Sequence, residues 1–338
     1  MLVPAAGRVL PKSAQIARKL PMTAAVDSHQ ACHKRVLSIQ SHVVQGYVGN
    51  KVAVFPLQLL GFDVDPILSV QFSNHTGYPS FQGSVFDGSH LQSLVQGLAA
   101  NQLLGGYSHL LTGYIGSLTL LEAVVETVEA LQAANGGAVT YVCDPVMGDE
   151  GRLYVPAALV DAFRLKVVPL AAVLVPNQFE AELLARTGPI TSVASGLKAC
   201  QALHALGPHT VVITSMSMAE DPEHITLLAS TLQPQANGLQ RLTLRIPRIH
   251  AYFTGTGDLM AALLLGWMHT HPGELGLAVE KAVAGLQAVL HCTAEHCPPA
   301  ALTATDRTAQ VCAARELRLI QSRADLADPQ VVLRCQPA

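Results

Sequence analysis

The chain has 338 residues, 50% of them hydrophobic and 13% charged, with a formal net charge of −3. That length and apolar content supply a sizeable core, and 21 Lys and Arg residues without a basic stripe argue against a nucleic-acid partner. The apolar run at 259–268 is short for a bilayer and reads as a buried helix, so no membrane span is expected.

Residues 1–34 differ from the rest. Arg8, Lys12, Arg18, Lys19 and Lys34 face a single acid, Asp27, among many alanines. This composition resembles an organelle transit peptide for a plastid or mitochondrion, and equally an ordinary disordered leader with Met22 as an alternative start. The seven cysteines form no CxxC pair, which suits reduced thiols in a cytoplasm-like compartment. Cys292 and His296 share a helix face, but no second cluster completes a tetrahedral metal set.

From Val36 onward, short β-branched runs alternate with helical stretches. Strands are predicted at 36–40, 67–72, 109–112, 139–143, 173–175 and 211–214. Helices are predicted near 48–60, 89–103, 117–134, 177–186 and 193–206. Such alternation implies right-handed crossovers and a mainly parallel sheet with helices on both faces, an α/β fold. The runs 225–230 and 242–246 flank a polar, turn-rich stretch at 233–241 and predict an antiparallel edge. Helices follow at 257–271 and 275–294, and one domain from residue 35 to the C-terminus is the economical reading. No GxGxxG follows the first strand and no GxxxxGK[ST] occurs, so neither common nucleotide fingerprint applies.

Chemistry concentrates at Phe253-Thr254-Gly255-Thr256-Gly257-Asp258, which leads directly into an apolar helix. Amide hydrogens of a helix start lack intrahelical partners, and the helix dipole favours an anion such as phosphate in front of them. Asp258 either stabilises the first turn or, beside a phosphate, takes a proton from an attacking hydroxyl. Ligands of open parallel sheets bind beyond the carboxyl ends of the strands. The predicted strands end in Ser41-His42, Ser73-Asn74-His75-Thr76, Thr112-Gly113-Tyr114, Asp144, Asn177 and Thr214-Ser215. Taken singly, each of these is more often a cap than a ligand. Together they point six strand ends at one rim. Asp144, Asp149 and Glu180 then form a carboxylate group suited to Mg²⁺, which needs one or two hard oxygen ligands and keeps its waters. Phosphoryl transfer asks for that metal, amides on the migrating group, and a base.

These residues resemble the pyridoxal kinases of the ribokinase-like superfamily, over residues 35–332. The Gly255-Thr256-Gly257-Asp258 run and the Asn177/Glu180 pair mark the superfamily. Gln71-Phe72-Ser73-Asn74-His75-Thr76-Gly77-Tyr78 is specific to pyridoxal kinases, and Gly148-Asp149-Glu150-Gly151-Arg152-Leu153-Tyr154 resembles the plant-type branch. The resemblance implies ATP-dependent phosphorylation of the 5′-hydroxymethyl group of pyridoxal, pyridoxine or pyridoxamine in vitamin B6 salvage, by a homodimer. Asp258 would be the general base, and Gly255, Thr256 and Gly257 the anion hole. Ser41 and Thr76 would hydrogen-bond the vitamin, with Val48, Phe72, His75 and Tyr114 lining its pocket. Asp144, Asn177, Thr214, Ser215 and Thr256 would lie along the ATP phosphates, and Ile249, Ala251 and Leu286 would border the adenine. Asp149 and Glu180 would serve Mg²⁺, the latter through water, and 149–154 would cover the nucleotide. Val175 stands where the family usually carries threonine, so a weakened contact with a monovalent cation (K⁺ or Na⁺) is expected. Two other readings are a hydroxymethylpyrimidine or sugar kinase of the same superfamily, and a catalytically silent vitamin-binding protein. The His75-Thr76 run speaks against the first, and the intact Gly-Thr-Gly-Asp turn against the second.

Overall fold

The computed structural model describes residues 34–233 and 238–338. Residues 1–33, expected to be a leader, and the centre of the turn-rich stretch at 233–241 lie outside the described residues. The strands are β1 (Arg35–Val43), β2 (Asp63–Phe72), β3 (Gly83–Val85), β4 (His109–Thr112), β5 (Thr140–Cys143), β6 (Gly148–Asp149), β7 (Arg152–Leu153), β8 (Val173–Leu174), β9 (Thr210–Met216), β10 (His224–Gln233), β11 (Gly238–Pro247) and β12 (Gln336–Pro337). The helices are α1 (Asn50–Leu59), α2 (Gly88–Ala100), α3 (Leu118–Ala134), α4 (Ala158–Ala162), α5 (Gln178–Ala185), α6 (Val193–His204), α7 (Thr256–Thr270), α8 (Leu275–His296), α9 (Pro299–Leu302), α10 (Ala309–Ala314) and α11 (Arg323–Ala327).

Ten strands form one sheet in the order β12-β11-β10-β9-β8-β5-β4-β1-β2-β3. The six strands from β9 to β2 run parallel, so their carboxyl ends share one rim as the sequence predicts. The chain begins at β1, steps outward to β2, and returns to β4 on the other side of β1. That reversal makes β1/β4 the switch point at which such sheets open a crevice. Strand alternation divides the core. Leu37, Ile39, Leu110, Tyr141, Cys143, Val211 and Ile213 face the layer of α2, α3, α5 and α6. Val36, Leu111, Val142 and Val212 face α1, α7 and α8. Burial on both sides explains why these strands read as almost unbroken apolar runs.

The antiparallel edge is longer than its two apolar runs suggest, with β10 and β11 in register from His224↔Pro247 to Gln233↔Gly238. Backbone pairing carries on through polar residues there, because ladder hydrogen bonds do not depend on side-chain type. Two boundary differences matter for the site. The helix predicted from residue 48 starts at Asn50, since Gly49 sits at φ +53° and breaks the helical path, which leaves Val48 in a loop. The stretch 149–154 is part of a small hairpin, β6 against β7, turned by Glu150 and Gly151 at φ +47° and +77°. Residues 259–267 are buried throughout, as expected for a core helix. α8 corrects the expectation that no span-length helix exists. Its 22 residues are long and apolar enough to cross a bilayer, but one side packs against α7 in the core.

Candidate active site

Gly255 caps α7 at φ +87°, and a Cβ there would overlap the Tyr47 carbonyl oxygen. Only glycine allows both the left-handed turn and that approach. Thr256 and Gly257 open the helix, and the amides of this first turn have no intrahelical acceptors. Asp258 lies in the same turn. One of its oxygens, Oδ2, accepts the Gly49 N–H at 2.8 Å, which leaves Oδ1 for another partner. Burial pushes the Asp258 carboxyl up to about 6, against the opposing pull of the Gly49 amide.

Gly49 joins two predicted site residues. It sits so close to Ser41 that a side chain would overlap the Ser41 backbone and hydroxyl, while its amide reaches Asp258. Val48, next in the same loop, packs against Gly255. At the end of β2, His75 is buried and its Nδ1 accepts the Gly77 N–H at 3.1 Å; Gly77 in turn approaches Thr254. Thr76 is exposed at this rim. Phe72 packs on Phe81 with ring centroids 4.9 Å apart, and half-buried Tyr114 stands at the end of β4, its phenol raised by burial.

Asp144 ends β5 and is buried, with Oδ2 left without a hydrogen-bond partner. That oxygen points toward Gly257, whose Cβ position would be 3.7 Å away. Burial raises the Asp144 carboxyl well above the usual range, and the Glu180 and Asp258 carboxylates add to the shift. Glu180 completes a capping box with Asn177. Its Oε2 accepts the Asn177 N–H and its Oε1 the Met147 N–H, both at 2.9 Å, while Asn177 Oδ1 accepts the Glu180 N–H. Asn177 Nδ2 donates to the Gly148 carbonyl at 2.7 Å, so the pair also anchors the β6–β7 hairpin. Asp149 Oδ1 accepts the Glu150 N–H. Thr214 donates its backbone N–H to the Pro176 carbonyl at 2.9 Å, which sets it and Ser215 beside Asn177. Ile249, Ala251 and Leu286 are partly buried against the apolar cluster that includes α7 and α8, and buried Val175 belongs to that cluster.

The donor set fits a divalent cation. An unpartnered buried carboxylate oxygen on Asp144 and the acids Asp149 and Glu180 would offer hard oxygen ligands. Among the described residues no three His, Cys, Asp or Glu side chains form a cage. With both Glu180 oxygens accepting backbone amides, its contact to an ion would run through water.

Glu180 is pushed up to about 8, burial outweighing its amide donors. A carboxyl raised in the folded state weakens folding progressively as pH climbs from its ordinary value to the raised one. The ligand-free protein should therefore lose thermal stability between pH 6.5 and 8, a window above the lowered histidines such as His109, at about 4. Glu180→Gln should give a shallower slope in melting curves. It should also start lower by about 1–3 kcal/mol, because its NH₂ group opposes one of the two amides. An unchanged slope would count against this.

Two residues that contact the candidate site escape the sequence reading. Gly49 was signalled only by the Gly46-x-x-Gly49 spacing ahead of a helix. Glu316, described below, carried no signal.

Amides at a glycine-led helix start, an acid beside them and carboxylates at neighbouring strand ends define a small-molecule phosphotransferase on a ribokinase-like sheet. A family profile described as phosphomethylpyrimidine kinase matches residues 107–298. Pyridoxal kinase of Arabidopsis thaliana is 54% identical over 305 residues, spanning 89% of this chain and 94% of its own. The human pyridoxal kinase is 44% identical over 309 residues, spanning 89% and 97%. Among solved structures, pyridoxal kinase from Leishmania donovani in complex with ADP and pyridoxamine superposes with a TM-score of 0.82 at 39% identity, over 90% of this chain and 99% of that one. The chain belongs to the pyridoxal kinase family.

Proposed function

We infer that this protein transfers the γ-phosphoryl group of ATP to the 5′-hydroxymethyl group of pyridoxal, giving pyridoxal 5′-phosphate and ADP in vitamin B6 salvage. The observation that carries this is the Asp258 carboxyl, held through one oxygen by Gly49 N–H in the first turn of an amide-presenting helix. Its free oxygen accepts the hydroxyl proton as the alcohol attacks. The Gly255-Thr256-Gly257 turn then holds the migrating group and stabilises the charge spread over its oxygens. Ser41, beside Gly49, and Thr76 orient the vitamin, while Val48, Phe72, His75 and Tyr114 wall its ring. Asp144, Asn177, Thr214 and Ser215 align the nucleotide phosphates, and Ile249, Ala251 and Leu286 border the base. The β6–β7 hairpin, anchored by Asn177, would shield the phosphates from water, which suppresses ATP hydrolysis. When bound, a divalent cation, which we propose to be Mg²⁺ near Asp144, Asp149 and Glu180, neutralises phosphate charge.

A panel of pyridoxal, pyridoxine, pyridoxamine, hydroxymethylpyrimidine and ribose, assayed by ADP release with ATP and Mg²⁺, tests the function. Faster turnover of hydroxymethylpyrimidine than of pyridoxal would overturn it. Buried Val175 offers no side-chain oxygen, so added KCl should activate weakly; strong saturable activation would show that a cation site survives without threonine. The family likeness also supports a homodimer. The leader composition supports either an organelle or the cytoplasm, which a reporter fused to residues 1–34 distinguishes.

A further inference from the structure

Glu316 lies two residues beyond α10, far from the motifs that define the site. Its Oε2 accepts the Tyr47 N–H at 3.0 Å. Its Oε1 accepts the Tyr78 hydroxyl at 3.0 Å and lies 3.4 Å from His75 Nε2. Because His75 Nδ1 accepts a backbone N–H, which can only donate, the ring proton sits on Nε2 and faces this carboxylate. Gly46 presses against the same carboxylate, leaving no room for a Cβ. The neighbouring Arg315 is no counter-charge, since its guanidinium donates to the carbonyls of Ala301, Leu302 and Ala304. Glu316 thus gathers donors from two separate loops. The 46–49 loop carries the Gly49 amide that meets Asp258 and the Tyr47 carbonyl that meets Gly255. The 75–78 loop carries His75 and Thr76.

We propose that Glu316 is a positioning residue for phosphoryl transfer, its carboxylate clamping the 46–49 and 75–78 loops so that Gly49 N–H meets Asp258 and the His75 ring stands as a fixed wall of the pyridoxal pocket. This rests on the kinase reading above. With Nδ1 taken by Gly77 and Nε2 directed at Glu316, His75 packs against the vitamin and leaves hydrogen bonding to other groups. Removing the clamp loosens both loops, while the carboxylates along the nucleotide keep their own anchors at Asn177 and Met147.

The test is steady-state kinetics of the full chain as wild type, Glu316→Ala and Glu316→Gln, across pH. Wild-type turnover of pyridoxal decides the kinase reading, and the variants decide the clamp. Glu316→Ala should raise the pyridoxal KM about tenfold and leave the ATP KM within about twofold. The acidic limb of its kcat/KM profile should move up by about half to one pH unit, because Asp258 loses an amide that favours its charged form. Asp144, the other acid facing Asp258, stays in place in every variant. So do Tyr252, Arg307, Cys312 and Arg315, the other titratable groups that line a cavity with Glu316 and His75. Glu316→Gln keeps an oxygen for Tyr47 N–H and should restore the limb. It should keep part of the pyridoxal KM defect, since its NH₂ opposes the His75 N–H. An unmoved limb with unchanged KM values overturns the proposal, as does an equal rise in both KM values with a lower Tm. Should Glu316→Ala fail to fold, Tyr78→Phe removes one donor alone and should raise the pyridoxal KM about threefold without moving the limb. An unchanged KM there also overturns it.

Discussion

Asp258→Asn should lower kcat by about 10²–10⁴ while leaving ATP affinity within about twofold, and should raise the melting temperature at pH 8. Asparagine keeps an oxygen for the Gly49 amide but cannot take a proton from the acceptor hydroxyl. The stability gain follows from the raised carboxyl, at about 6 in the folded chain. Between the ordinary aspartate value and 6 the folded state holds its proton more tightly than the unfolded one. Stability from this group therefore falls as pH rises through that window, and the full penalty is present at pH 8. Removing the charge should recover about 1–3 kcal/mol at pH 8 and nothing below about pH 4. In the wild type, kcat/KM should fall about tenfold per unit below pH 6, as the base is lost. A coupled ADP assay and thermal melts at pH 5 and 8 read both effects. Turnover within tenfold of wild type would remove Asp258 from its role as base.

Gly255→Ala should be still more disruptive. Its left-handed φ of +87° alone costs an alanine about 1–2 kcal/mol. The larger effect is the overlap with the Tyr47 carbonyl, a backbone atom that cannot rotate away. Relief requires the 46–49 loop to move off α7, which withdraws Gly49 N–H from Asp258 and opens the turn proposed to hold the migrating phosphoryl group. The expected result is a total loss of about 3–5 kcal/mol and a kcat/KM lower by about 10²–10³. Gly273→Ala is the control, because Gly273 has φ +81° with nothing within 4 Å of a Cβ. It should show the strain without the loss of activity. Equal activity losses in the two variants would refute the contact argument.

The parts of the site that could be read from sequence are those written within a few residues. Gly255-Thr256-Gly257-Asp258 announces itself because tight turning, free amides and a first-turn acid are properties of one short stretch. Asn177 and Glu180 stand three apart and close their capping box within one helical turn. Strand periods of two, split between two apolar layers, likewise emerge from local alternation. The β6–β7 hairpin was seen only as a loop, since its two-residue strands are too short to show a period.

Tertiary structure decided which distant groups meet at the candidate site. The Gly49 amide reaches Asp258 across 209 positions, and Glu316 reaches the Tyr47 amide across 269. Neither pairing leaves a mark on the residues next to it, because the reversal of strand order at β1/β4 and the return of the C-terminal segment create both. The unpartnered oxygen of Asp144 is of the same kind, since an aspartate after a strand looks alike whether its oxygen meets water or a buried rim. From the sequence alone come the parallel sheet, the glycine-led helix start and the acid in its first turn, for each is encoded by neighbours along the chain. What holds that acid, what desolvates it and what ties the loops beside it together arise only when packing brings remote segments together and excludes water from between them.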